Sequence, residues 1–176
     1  MRTPTVVFAA LLSLAALGVG VLEYRHHPET ILAVMTTDLS QRTAEQRQNI
    51  ETATRALDGV TVESGRDFSF NAAVGPRTTA RGYREAVALM EGNRITSVGG
   101  GICQLSSTLY GAAKRAGCPI VRRVPHRGSV QSVPPGEDAT VWYGGADLIW
   151  RAPSKVTVTA TVHGDKLIVA IVRPAG

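Results

Sequence analysis

The chain has 176 residues, a formal net charge of +5 and a hydrophobic share of 44%, which suits one compact domain with a short appendage. Its basic residues are scattered and form no Lys/Arg run with interleaved aromatic residues, so nucleic-acid binding is not expected. The positive charge fits either a solvated surface or weak attraction to an anionic envelope polymer or membrane. The absence of a fixed repeat of about 20 to 50 residues in the sequence excludes a solenoid or a propeller.

The N-terminal segment has the composition of an export signal. Arg2 supplies a short basic flank, and no charged residue occurs from Val6 to Leu22. The apolar residues surround the helix instead of forming one stripe, which is typical of a signal peptide or a membrane anchor. We therefore expect residues 1–24 to contact the cytoplasmic membrane as a signal or anchor segment, followed by a linker over 25–32. The rest of the chain is then expected in the cell envelope, either membrane-anchored or secreted after cleavage.

The first half of the remaining chain predicts strands alternating with helices. "ILAVMTT" predicts a strand, and "TAEQRQNIETATRALDG" predicts a helix, because Thr43 and Gln46 fit a capping box and Gly59 suits the helix end. "VTVES" and "GRDFSFNAAVGPRT" are expected as a strand and as a strand plus turn, and "RGYREAVALMEG" as a short helix. "RITSV" predicts a strand that leads through three glycines into a helix from about Ile102 to Ala116.

The second half predicts mostly strands. "PIVRRVP" and "DLIWRA" each predict a strand, and "HRGSVQSVPPGEDATVWYGG" is expected to hold two short strands around a turn. "KVTVTATVHGDKLIVAIV" alternates on both sides of "HGDK" and predicts a β-hairpin. The order of these elements predicts an α+β fold: a single domain with N-terminal helices and a mostly antiparallel β-sheet, preceded by the N-terminal apolar helix.

The two cysteines are expected to play different roles. Cys103 and Cys118 lie near opposite ends of one predicted helix, about 20 Å apart, whereas a disulfide spans only ~6 Å. Cys118 is expected to be a small buried residue. Cys103 follows a glycine turn at a helix N-terminus, where unpaired N–H groups favour an ionised thiol. The alternative is that Cys103 is a core residue.

Backbone N–H groups of Gly100, Gly101 and Ile102 are expected to stabilise an oxyanion beside Cys103, as acyl transfer through a thioester requires. His126 is the expected general base, because the other histidines follow the apolar segment or lie in the hairpin turn. The group that orients its imidazole is left open among Asp138, Glu137 and Ser129.

Cofactor and metal chemistry are not expected. The sequence lacks a metal-ligand spacing such as CxxC or HExxH, and no lysine follows the glycines as it would in a phosphate-binding loop. Arg77 and Arg81 could bind a carboxylate, or they could be solvated loop residues. The residues expected to contact a substrate are Arg77, Tyr83, Gln104, Ser106 and Ser107.

A series of motifs resembles the VanW family. "FSFN", "VGPRT", "GY", "GGGICQLSSTLY", "AG", "PH", "VPPGEDATV" and "DL" occur in the order and spacing of that domain. The likeness spans about residues 33–151, so residues 152–176 are expected to be a C-terminal β-hairpin extension that packs on the domain. His126 matches the second histidine of the family's R-H-x-H segment, whereas Val124 stands at the position of the first histidine and Arg127 replaces the serine that usually follows the second.

The resemblance implies a cysteine-dependent peptidoglycan L,D-transpeptidase. Cys103 would form an acyl-enzyme on a stem tetrapeptide with loss of the terminal D-alanine, and the side-chain amine of a neighbouring stem would attack to give a 3→3 cross-link. Water as the acceptor would make the protein an L,D-carboxypeptidase. The expected partners are peptidoglycan stem peptides. The alternative is a non-catalytic cell-envelope binding module linked to glycopeptide resistance or wall assembly.

Overall fold

A computed structural model of the chain describes residues 29–90, 92–128 and 130–175, with only the backbone described at Met90. The signal or anchor segment expected over residues 1–24 lies outside this part. None of the described helices combines the length and apolar character needed to span a membrane. The described elements are β1 (Thr30–Asp38), α1 (Ala44–Leu57), β2 (Val60–Val62), β3 (Asp67–Ser69), α2 (Phe70–Val74), a 3₁₀ turn (Thr79–Arg81), β4 (Glu85–Met90), β5 (Asn93–Val98), α3 (Cys103–Arg115), β6 (Ile120–Arg122), β7 (Ile149–Arg151), β8 (Val156–His163) and β9 (Lys166–Arg173).

The main sheet is antiparallel and has the strand order β1-β9-β8-β2. Its two central strands, β8 and β9, form the predicted hairpin. The hairpin expected as an extension over 152–176 therefore supplies the centre of this sheet. β1 begins at Thr30, so the last residues of the expected linker (25–32) are strand, because Thr30 and Ile31 pair with Arg173 and Val172.

The core lies between this sheet and the two longer helices. Val156, Val158 and Ala160 alternate along β8 as buried residues, as expected for a strand with one covered face. α1 contacts β8, and α3 contacts β1 and β9. The predicted capping box of α1 is confirmed: the Thr43 side chain accepts from Gln46 N, and the Gln46 side chain accepts from Thr43 N. The mixture of helices and antiparallel sheet agrees with the predicted fold class.

Two predictions of local structure are wrong. The segment expected as a short helix in "RGYREAVALMEG" forms β4, which pairs antiparallel with β5 from Glu85↔Val98 to Met90↔Asn93. The described residues of "HRGSVQSVPPGEDATVWYGG" form turns and bends and no strand. Adjacent prolines at 134 and 135 supply no N–H groups for a ladder there. A backbone hydrogen bond from Thr140 N to Val124 O (2.8 Å) nevertheless fixes this segment beside the end of β6.

A further short helix, α2, follows β3 where a turn was expected. Ser69 caps it by accepting from Ala72 N, and Gly75 ends it with φ +73°. α2 begins with Phe70 and Asn71, which are buried. Its end leads directly into the Arg77 loop, so α2 sets the position of that arginine.

Candidate active site

The glycine turn before α3 is pressed against the backbone of β4. A Cβ on Gly100 would lie 2.6 Å from the Ala86 carbonyl carbon, 2.8 Å from Val87 O and closer still to Ala86 O. Asn49 Nδ2 donates to the Gly100 carbonyl at 3.0 Å. Gly101 has a φ of +100°, in the range that favours glycine. These contacts from β4 and α1 fix the point at which α3 begins.

Cys103 is the first residue of α3 and is partly exposed, whereas Cys118 is buried. Both are free thiols. The Cys103 Sγ donates to the Val141 carbonyl at 3.6 Å. Cys103 also lies close enough to the imidazole of His126 for the two groups to interact electrostatically. The sequence-predicted nucleophile and base are therefore brought together from positions 23 residues apart, one on α3 and the other in the loop after β6.

Asp138 occupies the other side of the imidazole. Its Oδ2 accepts from the His126 backbone N (2.6 Å) and bonds to Nδ1 of the ring (2.8 Å). The His126 side chain is 4% exposed and the Asp138 side chain 9%. With Nδ1 directed at the carboxylate, Nε2 is the ring nitrogen left for the thiol. Of the three orienting groups considered, Asp138 has this geometry; Glu137 pairs with Arg115 at 2.9 Å, and Ser129 lies outside the described residues.

The environment shifts the pKa values of both His126 and Asp138. Burial alone lowers the pKa of His126, but the hydrogen bonds and charges of Cys103 and Asp138 outweigh burial and raise it above its ordinary value of 6.5. Burial raises the pKa of Asp138, but hydrogen bonds from His126 and the charges of Arg123 and His126 outweigh it and hold the pKa below 3.8. The imidazolium is therefore favoured beside an ionised carboxylate.

Arg123 holds the Asp138 carboxylate through the oxygen that His126 does not use. Its Nε donates to the Asp138 carbonyl (2.5 Å) and its Nη2 to Oδ1 (2.8 Å). The guanidinium also lies over the Tyr110 ring of α3, at 5.2 Å from the centroid. The sequence interpretation did not assign Arg123 a role, although it is the first residue of the R-H-x-H segment. Its place in that segment was the sequence signal that could have assigned Arg123 a role.

The backbone N–H groups near the thiol differ in their availability. Gly100 N donates to Ser97 O (3.1 Å), and Ile102 N donates to Gly99 O (3.4 Å). Among the described residues, the N–H groups of Gly101 and Cys103 donate no backbone hydrogen bond. Of the three expected oxyanion donors, Gly101 thus keeps an unpaired N–H, and Cys103 itself supplies a second one that the sequence interpretation had not included.

The polar residues after Cys103 are directed into the protein. Gln104 Nε2 donates to Thr37 Oγ1 (3.1 Å) and to the Asp38 carbonyl (2.8 Å) on β1. Ser106 Oγ donates to the Ala139 carbonyl (2.6 Å), and Ser107 Oγ accepts from Ala139 N (3.0 Å). These three residues were expected to contact a substrate. They are buried instead and bond to β1 and to the segment that carries Asp138. They therefore stabilise the position of the site and do not line its surface.

Arg77 and Tyr83 come from the segment that connects α2 to β4. Tyr83 is 1% exposed, so it lies in the core and not on the surface expected for a substrate contact. The Arg77 side chain packs on Gly99, where a Cβ would lie 2.9 Å from Arg77 Cβ. Arg77 Nη1 donates to Asn71 Oδ1 at 2.8 Å. Asn71, from the "FSFN" motif, was another positioning residue that the sequence interpretation left without a role.

In the described part of the chain, no group of three or more His, Cys, Asp or Glu side chains is arranged to hold a metal ion. The assembled groups are a partly exposed thiol, a buried imidazole bonded to a carboxylate, and two unpaired backbone N–H groups at a helix start. This set can exchange a proton between sulfur and nitrogen and can stabilise a negative oxygen beside the sulfur.

Comparisons with known proteins agree on one family. The family model described as "VanW like protein" matches residues 45–172. The chain is 38% identical over 142 residues to the uncharacterized protein YoaR of Bacillus subtilis (strain 168), a match that covers 80% of this chain and 47% of that protein. It is 28% identical over 129 residues to the vancomycin B-type resistance protein VanW of Enterococcus faecalis (strain ATCC 700802 / V583), covering 68% and 46% of the two chains. The chain thus spans about half the length of these curated relatives. No solved structure matches it.

Proposed function

The chain belongs to the VanW-like family, and from this premise we propose that it is an exported cysteine acyltransferase that acts on peptidoglycan stem peptides. The observation that carries the proposal is the arrangement at the start of α3, where His126 is hydrogen-bonded to Asp138 and interacts with the Cys103 thiol. A thiol, an imidazole and an orienting carboxylate form the usual set for nucleophilic acyl transfer. Export rests on the apolar segment predicted within residues 1–24.

In the first half-reaction, His126 takes the proton of Cys103, and the sulfur attacks the amide carbonyl of the donor stem. The carbonyl oxygen becomes negative and accepts from the N–H groups of Gly101 and Cys103. The C–N bond then breaks, His126 returns the proton to the leaving nitrogen, and D-alanine departs. The donor remains as a thioester on Cys103.

In the second half-reaction, the side-chain amine of a neighbouring stem attacks the thioester carbonyl. His126 accepts a proton from the attacking nitrogen as the C–S bond breaks, and the proton passes to the leaving sulfur. The product is an amide between two stems, a 3→3 cross-link, and free enzyme. Water in place of the amine gives hydrolysis by the same steps and makes the protein an L,D-carboxypeptidase.

The contrast between the two thiols supports this assignment. Cys103 is partly exposed and faces an imidazole, whereas Cys118 is 4% exposed and burial raises its pKa to about 11. Asp138, in turn, is held by Arg123, so the imidazole is aligned before a substrate arrives. Such alignment before binding is what a general base requires. The name of the Enterococcus relative, a vancomycin resistance protein, agrees with a role at the cell wall.

The test is intact-protein mass spectrometry after incubation with a tetrapeptide stem. We expect a mass increase equal to the tetrapeptide minus one molecule of D-alanine, which is the tripeptide acyl group, absent in Cys103→Ala and retained in Cys118→Ala. Unfolding curves of the two variants serve as the structural control. A folded wild-type protein that forms no adduct and releases no D-alanine would refute the enzyme and favour the envelope binding module.

A further inference from the structure

We propose that Arg77 is a carboxylate anchor for the donor, so that the enzyme acts only on an amide bond one residue from a free C-terminal carboxylate. This inference rests on the proposed function and specifies its donor. The evidence is an arginine that is held by several contacts, has no carboxylate partner among the described residues and packs on the turn that presents Cys103.

Arg77 is fixed by three neutral contacts. Its Nη1 donates to Asn71 Oδ1 (2.8 Å) and to the Gly75 carbonyl (3.0 Å). Its guanidinium carbon lies 5.4 Å from the centroid of the Phe70 ring. All three partners belong to α2 or its C-cap. The side chain is therefore already ordered, and little of its conformational entropy remains to be lost on binding a ligand.

The charge of this arginine is not neutralised within the described part of the chain. Nη2 is buried and has no hydrogen-bond partner, and no described carboxylate lies within 4.0 Å of the guanidinium. The Asp147 carboxylate is close enough to influence Arg77 but accepts instead from Ser69 Oγ, Asn71 N and Leu148 N. A partly buried cation with a buried, unpaired donor is unfavourable, and a ligand carboxylate would satisfy both the charge and the donor.

The position of Arg77 determines which carboxylate of the substrate it can bind. Its side chain packs on Gly99, at the start of the turn that ends at Cys103. It is also near enough to Cys103 for the two charges to interact. One residue of an extended chain spans about 3.8 Å between Cα atoms. An anion site beside the nucleophile therefore fits the carboxylate of the residue that leaves, and an internal peptide bond would present a neutral amide to Arg77 instead.

Arg81 offers a matched control. It is exposed, and its Nη1 donates to the Pro76 carbonyl at 3.0 Å, in the same loop. Replacing either arginine by methionine keeps most of the aliphatic stem and removes one positive charge. Only Arg77 has the buried, unpaired Nη2, so only Arg77→Met is expected to change the choice of donor.

The experiment measures kcat/KM for thioester formation with two tetrapeptide donors that differ only at the C-terminus, carboxylate against carboxamide, in the absence of an acceptor. Wild-type protein is expected to prefer the carboxylate by about 10- to 100-fold, the range for a hydrogen bond to a charged group. The preference should fall to near 1 in Arg77→Met and remain in Arg81→Met. Because the two donors are compared within one variant, the ratio does not depend on how much of the variant is folded.

Several results would overturn the inference. Equal rates with both donors in wild-type protein would show that the terminal carboxylate is not recognised, while leaving the acyltransferase intact. A preference that persists in Arg77→Met would assign recognition to another group. If neither donor forms a thioester, the proposed function fails and the inference fails with it.

Discussion

Replacing Gly100 by alanine should distort the start of α3 and the thiol that it carries. The new Cβ would lie 2.6 Å from the Ala86 carbonyl carbon and 2.8 Å from Val87 O, whereas ordinary contacts begin at 3.4 Å. These obstacles are backbone atoms of a paired strand and cannot rotate away, so the turn and β4 must separate by roughly 1 Å. Overpacking of this kind costs about 1–3 kcal/mol, and we expect about 2 kcal/mol of unfolding free energy to be lost.

Gly111→Ala is the matched control. Gly111 also lacks a positive φ, and a Cβ there would meet only atoms of flexible side chains, the end of Arg115 (Nη1) at 2.7 Å and Met35 Cγ at 3.2 Å. It lies inside α3, where alanine gains up to about 1 kcal/mol over glycine in helix propensity. We expect this variant to remain within about 1 kcal/mol of wild type.

The assay for both variants is urea denaturation combined with the rate of Cys103 alkylation in the native state. Gly100→Ala should lower the unfolding midpoint and change the alkylation rate, since a shift of about 1 Å separates the sulfur from His126. Gly111→Ala should change neither substantially. A Gly100→Ala protein as stable as wild type, with unaltered alkylation, would refute the claim that contact with β4 positions the nucleophile.

Three further predictions concern the thiols and the His126–Asp138 pair. A thiol reagent at about pH 8 should modify Cys103 and spare Cys118, whose pKa is raised by burial to about 11; equal labelling of the native protein, read by peptide mass spectrometry, would contradict this. Asp138→Asn should lower the unfolding free energy by about 2–4 kcal/mol, because it removes charge-assisted bonds to His126 and Arg123. The raised pKa of His126 adds stability that is fully present below about pH 6.5 and lost as the pH rises through the folded-state value, so the deficit measured by urea denaturation should be larger near pH 5.5 than near pH 8.5; a deficit independent of pH would argue against the pair. His126→Ala should slow acylation more at about pH 7 than at about pH 9, where hydroxide can ionise the thiol, and an equal loss at both values, measured by adduct formation, would indicate a structural histidine.

Predictions that depended on local signals agreed with the structure. The capping box of Thr43 and Gln46 marks the start of α1, and the glycines before Cys103 mark the start of α3. Alternation around "HGDK" identified the β8–β9 hairpin. In each case the chemistry of a few neighbouring residues determines the element, so no knowledge of distant partners was needed.

The failures occurred where distant partners decide the structure. "EAVALM" is a short apolar run that fits either a helix or a strand, and pairing with β5 together with close packing against Gly100 makes it β4. The choice among Asp138, Glu137 and Ser129 could not be made from proximity in sequence. It depends on Arg123 reaching across to Asp138 and on Asp138 accepting from the His126 backbone.

The central position of β9 has a consequence for how the molecule is made. β9 joins β1 to β8, and Asp38 and Lys166, which pair at this junction, are separated by 128 positions along the chain. The sheet cannot close until almost the whole domain has been synthesised, and contacts between residues so far apart in sequence slow folding. This topology delays completion of the sheet during translation, and a chain that is still unfolded is the form that an export channel accepts, which suits the export that we propose.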